Sequence, residues 1–158
     1  MELTLDEALQ KAIEAHKAGK IQEAERLYTA ILQAQPKHSD ANHNMGVLAV
    51  GVGKVQESLL FFKTALEANP EIGQYWLSYI DALIKLDRVT DAESVFAQAK
   101  DKGAIGGAFD QLEQQFAEQK LRANKTSSMA LDSPASSKPN ILDTIKLDEA
   151  LRLAKKAS

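Results

Sequence analysis

The sequence predicts an all-α fold built from repeated antiparallel helix pairs. Three observations predict it. The chain has an internal period of 34 residues, the period is filled with helix-forming residues, and glycine or proline recurs at fixed places within it. Gly19 and Gly53 lie 34 apart, as do Pro36 and Pro70. Tyr28, Phe62 and Phe96 share the spacing, and so do Ala24, Ser58 and Ala92. Independent series with one period are the signature of a repeat architecture. Between the punctuating residues Ala, Leu, Glu, Gln and Lys dominate, and β-branched runs are scarce.

Each element then follows in order. At the N-terminus Thr4 and Glu7 match the capping box that starts a helix. In the second unit the first helix is expected over about 39–52 and the second over 55–68. Gly53 and Lys54 make the turn between them, since glycine accepts the left-handed backbone that closes a helix. Asn69-Pro70 stops the second helix, because proline disfavours a helical residue before it and cannot continue the ladder. Gly46, Ser58 and Ala65 are small where neighbouring helices approach, and Phe62 fills the gap between them. A seventh helix fits about 107–122, with Phe109, Leu112 and Phe116 on one face and polar residues around the rest. Such a helix closes an array by covering the last apolar face.

These residues make the chain resemble a tetratricopeptide repeat array. Each unit of that family wants large apolar residues near its start, small ones at its eighth and twentieth positions, an aromatic at the twenty-fourth and a late proline. The second unit supplies Met45, Gly46, Ser58, Phe62, Ala65 and Pro70, but has Asn42 and Ala49 at two large positions. The third supplies Trp76, Tyr79, Leu83, Ala92, Phe96 and Ala99, with Ile80 at the small position and Ala104 for the proline. The first supplies Ala12, Ala24, Tyr28 and Pro36, with Lys11 and Ile31 against the pattern. The resemblance implies a right-handed superhelical α-solenoid, with a domain over 1–122 and repeats at about 5–38, 39–72 and 73–106.

Beyond that domain the character changes. Residues 123–140 are rich in Ser with two Pro, and read as a flexible linker. Residues 141–158 turn amphipathic again, and Leu147–Leu151 repeats the Leu5–Leu9 sequence LDEAL. This tail is expected either to begin a further segment or to dock, in its own groove or in that of a second copy.

Composition excludes several functions. The 158 residues carry a formal net charge of -3 and no cysteine, so a disulfide framework, a thiolate metal site and a cysteine nucleophile are excluded. Without a basic stripe, nucleic-acid binding is not expected. No run approaches the 18 or so apolar residues of a membrane span, and no signal pattern opens the chain, so a cytoplasmic protein is expected. Gly51-Val52-Gly53-Lys54 has the wrong spacing for a phosphate loop. His38 and His43, five apart with no partner ligands, suggest polar surface histidines rather than a metal site, and His16 suits the end of a helix. The Asn124 sequon and Ser133-Pro134 are common short patterns and carry no assignment. No cofactor, metal or catalytic constellation is expected, and the chain reads as a non-enzyme.

What the resemblance implies instead is a concave groove lined by the first helix of each pair. Family groove positions fall on Gln10, Asn44 and Ser78, a polar row able to hydrogen-bond a peptide backbone. Beside them stand Leu9, Ile13, Val47, Val50, Leu77 and Ile84, bordered by Asp6, Asp40, His43, Asp81 and Lys85. The first helix of the second unit is apolar nearly all round, so both of its faces should be covered. The clamp for acidic chaperone tails wants Lys and Asn where Leu9 and Ile13 stand, so that ligand is disfavoured. The leading expectation is a protein–protein interaction scaffold that binds a peptide or helix. The alternatives are the N-terminal recruitment module of a larger bacterial glycosyl-, methyl- or sulfotransferase, and a small secretion-type chaperone.

Overall fold

The computed structural model describes residues 2–130, and the expected tail at 141–158 lies outside the described residues. Seven helices occupy the described chain: α1 (Leu5–Lys17), α2 (Ile21–Ala34), α3 (Ser39–Gly51), α4 (Val55–Ala68), α5 (Gly73–Lys85), α6 (Val89–Asp101) and α7 (Gly107–Ala130). They fall into two units, one ending at Ile105 and one beginning at Gly106.

The first unit is an α-solenoid of three helix pairs, whose leading helices begin at Leu5, Ser39 and Gly73. Each helix packs on the next, and each leading helix also touches the leading helix of the following pair. The capping box forms as expected: Thr4 Oγ1 accepts from the Glu7 amide at 3.1 Å, and Glu7 Oε2 accepts from the Thr4 amide at 3.0 Å. Every pair turns through one left-handed residue. Gly19 (φ 76°) and Gly53 (φ 84°) are the expected two, and Asp87 (φ 58°) is the third in the series.

Packing follows the period as well. Ala12, Ala15, Ala24 and Tyr28 of the first pair form one buried cluster with Met45 and Leu48 of α3. Ala8, Ile31 and Ala41 form another. Tyr28 and Phe62 are fully buried, and burial pushes the Tyr28 hydroxyl up to about 12. Asn42, which departs from the large residue of the family pattern, keeps one of its jobs. Its Nδ2 donates to the Pro36 carbonyl at 3.1 Å. One repeat later the Trp76 Nε1 donates to the Pro70 carbonyl at 2.8 Å. The hydrogen bond that ties each helix start to the preceding turn is thus retained while the bulk is lost.

The second unit contributes α7, which carries Phe109, Leu112 and Phe116 at spacings of three and four. This helix runs eight residues past the expected end at 122. The reason lies in the sequence: residues 123–130 contain neither Gly nor Pro, and the first proline beyond is Pro134. The expected linker therefore does not begin at residue 123, and its remainder from 131 to 140 lies outside the described residues.

Candidate functional site

The leading helices α1, α3 and α5 form one layer and present the residues expected to line a groove. Of the apolar set, Val47 is 38% exposed, and Ile13, Val50, Leu77 and Ile84 are half-buried. Leu9 differs: it packs against both buried clusters of the first pair and is largely a core residue. The expectation that α3 would be covered on both faces also fails, since Val47 and Val52 remain exposed.

The polar residues divide into those that bind each other and those that stay available. His43 Nε2 and Ser78 Oγ lie 2.8 Å apart, joining α3 to α5. Gln74 Nε2 donates to the same Ser78 oxygen at 3.2 Å. The His43 ring stacks on Tyr75, with centroids 4.7 Å apart and planes at 27°, and tilts against Phe62 at 5.6 Å. The Tyr75 hydroxyl donates to Asp40 Oδ1, and burial together with that carboxylate raises Tyr75 to about 12. Burial lowers the His43 pKa below its ordinary value, with the Asn44 side chain and the Asp40 charge opposing. Asp81 and Lys85 form an ion pair at 2.5 Å along the exposed side of α5, an arrangement worth at most about 1 kcal/mol. Gln10 donates to Glu14 at 3.3 Å and remains exposed. Asn44 is half-buried beside His43.

Two corrections to the sequence reading follow. His43 is not a surface histidine but a link between repeats. His38 is not one either: its Nδ1 accepts from the Ala41 amide at 3.1 Å and caps α3. His16 does sit in the last turn of α1, and its Nδ1 also reaches the Tyr28 hydroxyl at 3.3 Å. Sequence reasoning missed Tyr75 altogether. Both bonds between α3 and α5 join residues 35 apart, one more than the repeat period. A search at 35 would have paired Asp40 with Tyr75 and His43 with Ser78.

Elsewhere a cleft of about 430 Å³ opens among α4, α5 and α6, lined by Leu66, Pro70, Trp76, Tyr79 and Val95 with Lys63 and Lys102 nearby. None of the expected groove residues lines it. Among the described residues, no group of three or more His, Asp or Glu side chains is placed to hold a metal ion. Nor is any helix among them long and apolar enough to cross a membrane.

A sequence model described as tetratricopeptide repeat matches residues 15–76, which span the turn of the first pair through the start of the third. Those residues carry the tetratricopeptide repeat pattern, and the α-solenoid of three helix pairs extends the same architecture on either side of them. No curated protein matches its sequence significantly. Solved tetratricopeptide repeat structures do match. MamA of strain AMB-1 is 22% identical with a TM-score of 0.56, over 65% of this chain and 57% of that one. This chain therefore spans little more than half the length of the MamA structure. The type III secretion chaperone SycD of Yersinia enterocolitica, in complex with a peptide of the translocator YopD, is 16% identical with a TM-score of 0.63, over 81% and 97% of the two chains. The first tetratricopeptide repeat domain of Spaghetti (RPAP3), bound to an HSP90 peptide, is 15% identical with a TM-score of 0.64, over 72% and 93%.

Proposed function

We infer that this chain is a non-enzymatic interaction scaffold whose α1, α3 and α5 layer holds an apolar peptide segment. One observation carries the reading: the exposed Val47 and the half-buried Ile13, Val50, Leu77 and Ile84 are apolar side chains borne by the same layer of leading helices. Apolar side chains left accessible on one layer are what a docking peptide would cover. Gln10 and Asn44 on the same layer offer amide groups to a peptide backbone, while Ser78 is engaged by His43 and Gln74. The bonds from Asp40 to Tyr75 and from His43 to Ser78 hold α3 and α5 in register, so this part of the layer is shaped before a ligand arrives. Peptide capture by the similar SycD and RPAP3 structures supports the reading at the level of fold. The ligand differs in kind from an acidic chain end, because Leu9 and Ile13 stand where a clamp for such ends places Lys and Asn.

The test is a peptide selection. Peptides chosen from a random display library on the wild-type chain are titrated against a Val47→Glu, Leu77→Glu variant of matched melting temperature. Loss of at least about tenfold in affinity supports the groove, and unchanged affinity removes it.

A further inference from the structure

Small side chains hold α1 in the array. Its buried residues are Ala8, Ala12 and Ala15, and half-buried Leu5 and Leu9 pack beside them onto the clusters that contain Tyr28, Ile31 and Ala41. The helix lies at the end of the row, against α2 and, over a smaller contact, α3. Terminal elements with few large buried groups open at lower cost than the centre of a fold.

The sequence contains this buried face twice. Leu5–Leu9 recurs whole as Leu147–Leu151, and Ala12 and Ala15 recur as Ala154 and Ala157, all at one offset. Between residues 5 and 15 only positions 10, 11, 13 and 14 differ. Gln10, Lys11 and Glu14 are exposed in α1, and Ile13 belongs to the groove side. Their counterparts are Arg152, Leu153, Lys155 and Lys156. The α1 residues of the two buried clusters, Leu5, Ala8, Leu9, Ala12 and Ala15, are therefore all kept; of its contacts with α2 the one from His16 to Tyr28 is lost, Ser158 standing in that place, and the other changes fall on its remaining faces. A match arising from helical composition alone would not discriminate between faces.

We propose that residues 147–157 are a second α1: on a second copy of the chain they take the seat between α2 and α3 and displace the helix that fills it. The exchange is biased toward α1, which is tethered to its seat and carries the Thr4–Glu7 capping box. The segment keeps Glu149 but has Lys146 where Thr4 stands, so the hydroxyl acceptor is missing. Occupancy by the segment rises with protein concentration and whenever the α1 cap is weakened. Apolar composition alone would send the tail to the concave groove; the matched residues send it to the α1 seat.

Hydrogen exchange on the full chain tests this. The probe is a synthetic peptide of residues 146–158 in large excess, and the control is the same peptide with Leu151→Asp. The expected result is faster exchange of the α1 amides, with α2 and α3 still protected and no effect of the control peptide. In a Thr4→Ala chain, whose folding is checked by circular dichroism, the acceleration grows roughly fivefold, the equilibrium effect of losing one such cap. Unchanged or slowed exchange in α1 overturns the proposal, whether or not the peptide binds elsewhere. Protection along α3 and α5 without release of α1 also overturns it and makes the segment a groove ligand.

Discussion

A Cβ added to Gly46 would stand 2.5 Å from Cε1 of Phe62, with two further ring carbons at 2.7 and 3.0 Å. The ring cannot easily move aside, because Phe62 is 1% exposed and His43 lies against it. Gly46→Ala should therefore cost about 1–3 kcal/mol by overpacking, and Phe62→Ala about 3–5 kcal/mol by leaving a cavity. Paired with Phe62→Leu, the Gly46→Ala change should cost less than the two single changes added together, by about 1 kcal/mol. Urea denaturation of the four chains checks the non-additivity, and simple additivity would show that the contact does not limit packing.

Asp87 offers the opposite change. It holds the left-handed turn that Gly19 and Gly53 hold in the other pairs, and its amide donates to Ile84 as theirs donate to His16 and Val50. An L-residue is strained in this region, and glycine is not. Asp87→Gly should raise stability by about 0.5–1 kcal/mol, net of the added freedom of the unfolded chain. Gly53→Ala should lower it by about 1 kcal/mol. The readout is a shift of the urea midpoint at constant slope.

Asp87 also marks where the sequence was legible and where it was not. Helix starts could be read because glycine and proline act locally: α4 was expected at Val55 and ends at Ala68 as anticipated, and α3 ends one residue early at Gly51. The third turn went unseen because its signal, a glycine, is absent. The extension of α7 went unseen because serine-rich composition was read as loop, although no breaker stands between residues 122 and 130. The groove positions were legible as places on the leading helices. Their environments were not, since the His43–Ser78 and Asp40–Tyr75 bonds depend on how adjacent helices are offset, and Leu9 depends on how far α1 rotates into the core.

His43 gives the protein a pH dependence. Burial lowers its folded pKa below the ordinary 6.5. The groups around it are Ser78 and Tyr75 of α5, Phe62 of α4, and Asp40 and Asn44 of its own helix. With the folded pKa depressed, the unfolded chain takes up the proton first. The stabilisation is therefore complete above about pH 6.5 and declines as pH falls from there through the folded value. Melting temperatures between about pH 7.5 and about pH 5 should fall in the wild type more than in a His43→Gln chain. Parallel curves for the two would show that His43 is not the responsible group.

The groove reading makes a prediction about salt. If the ligand is held by the apolar side chains of Ile13, Val47, Val50, Leu77 and Ile84, its affinity should change little when charges are screened. The only ion pair described among the groove residues, Asp81 with Lys85, is already satisfied within α5 and exposed to solvent. For a selected peptide, raising NaCl from about 0.05 to about 0.5 M should alter Kd by less than roughly threefold. The same titration should show a negative heat-capacity change, as burial of apolar surface requires. Val47→Glu should leave the melting temperature nearly unchanged, because the side chain is 38% exposed and such sites tolerate substitution within about 0.5 kcal/mol. A steep salt dependence with no effect of Val47→Glu would place the ligand on charged residues, and the apolar side chains would then not be the binding surface.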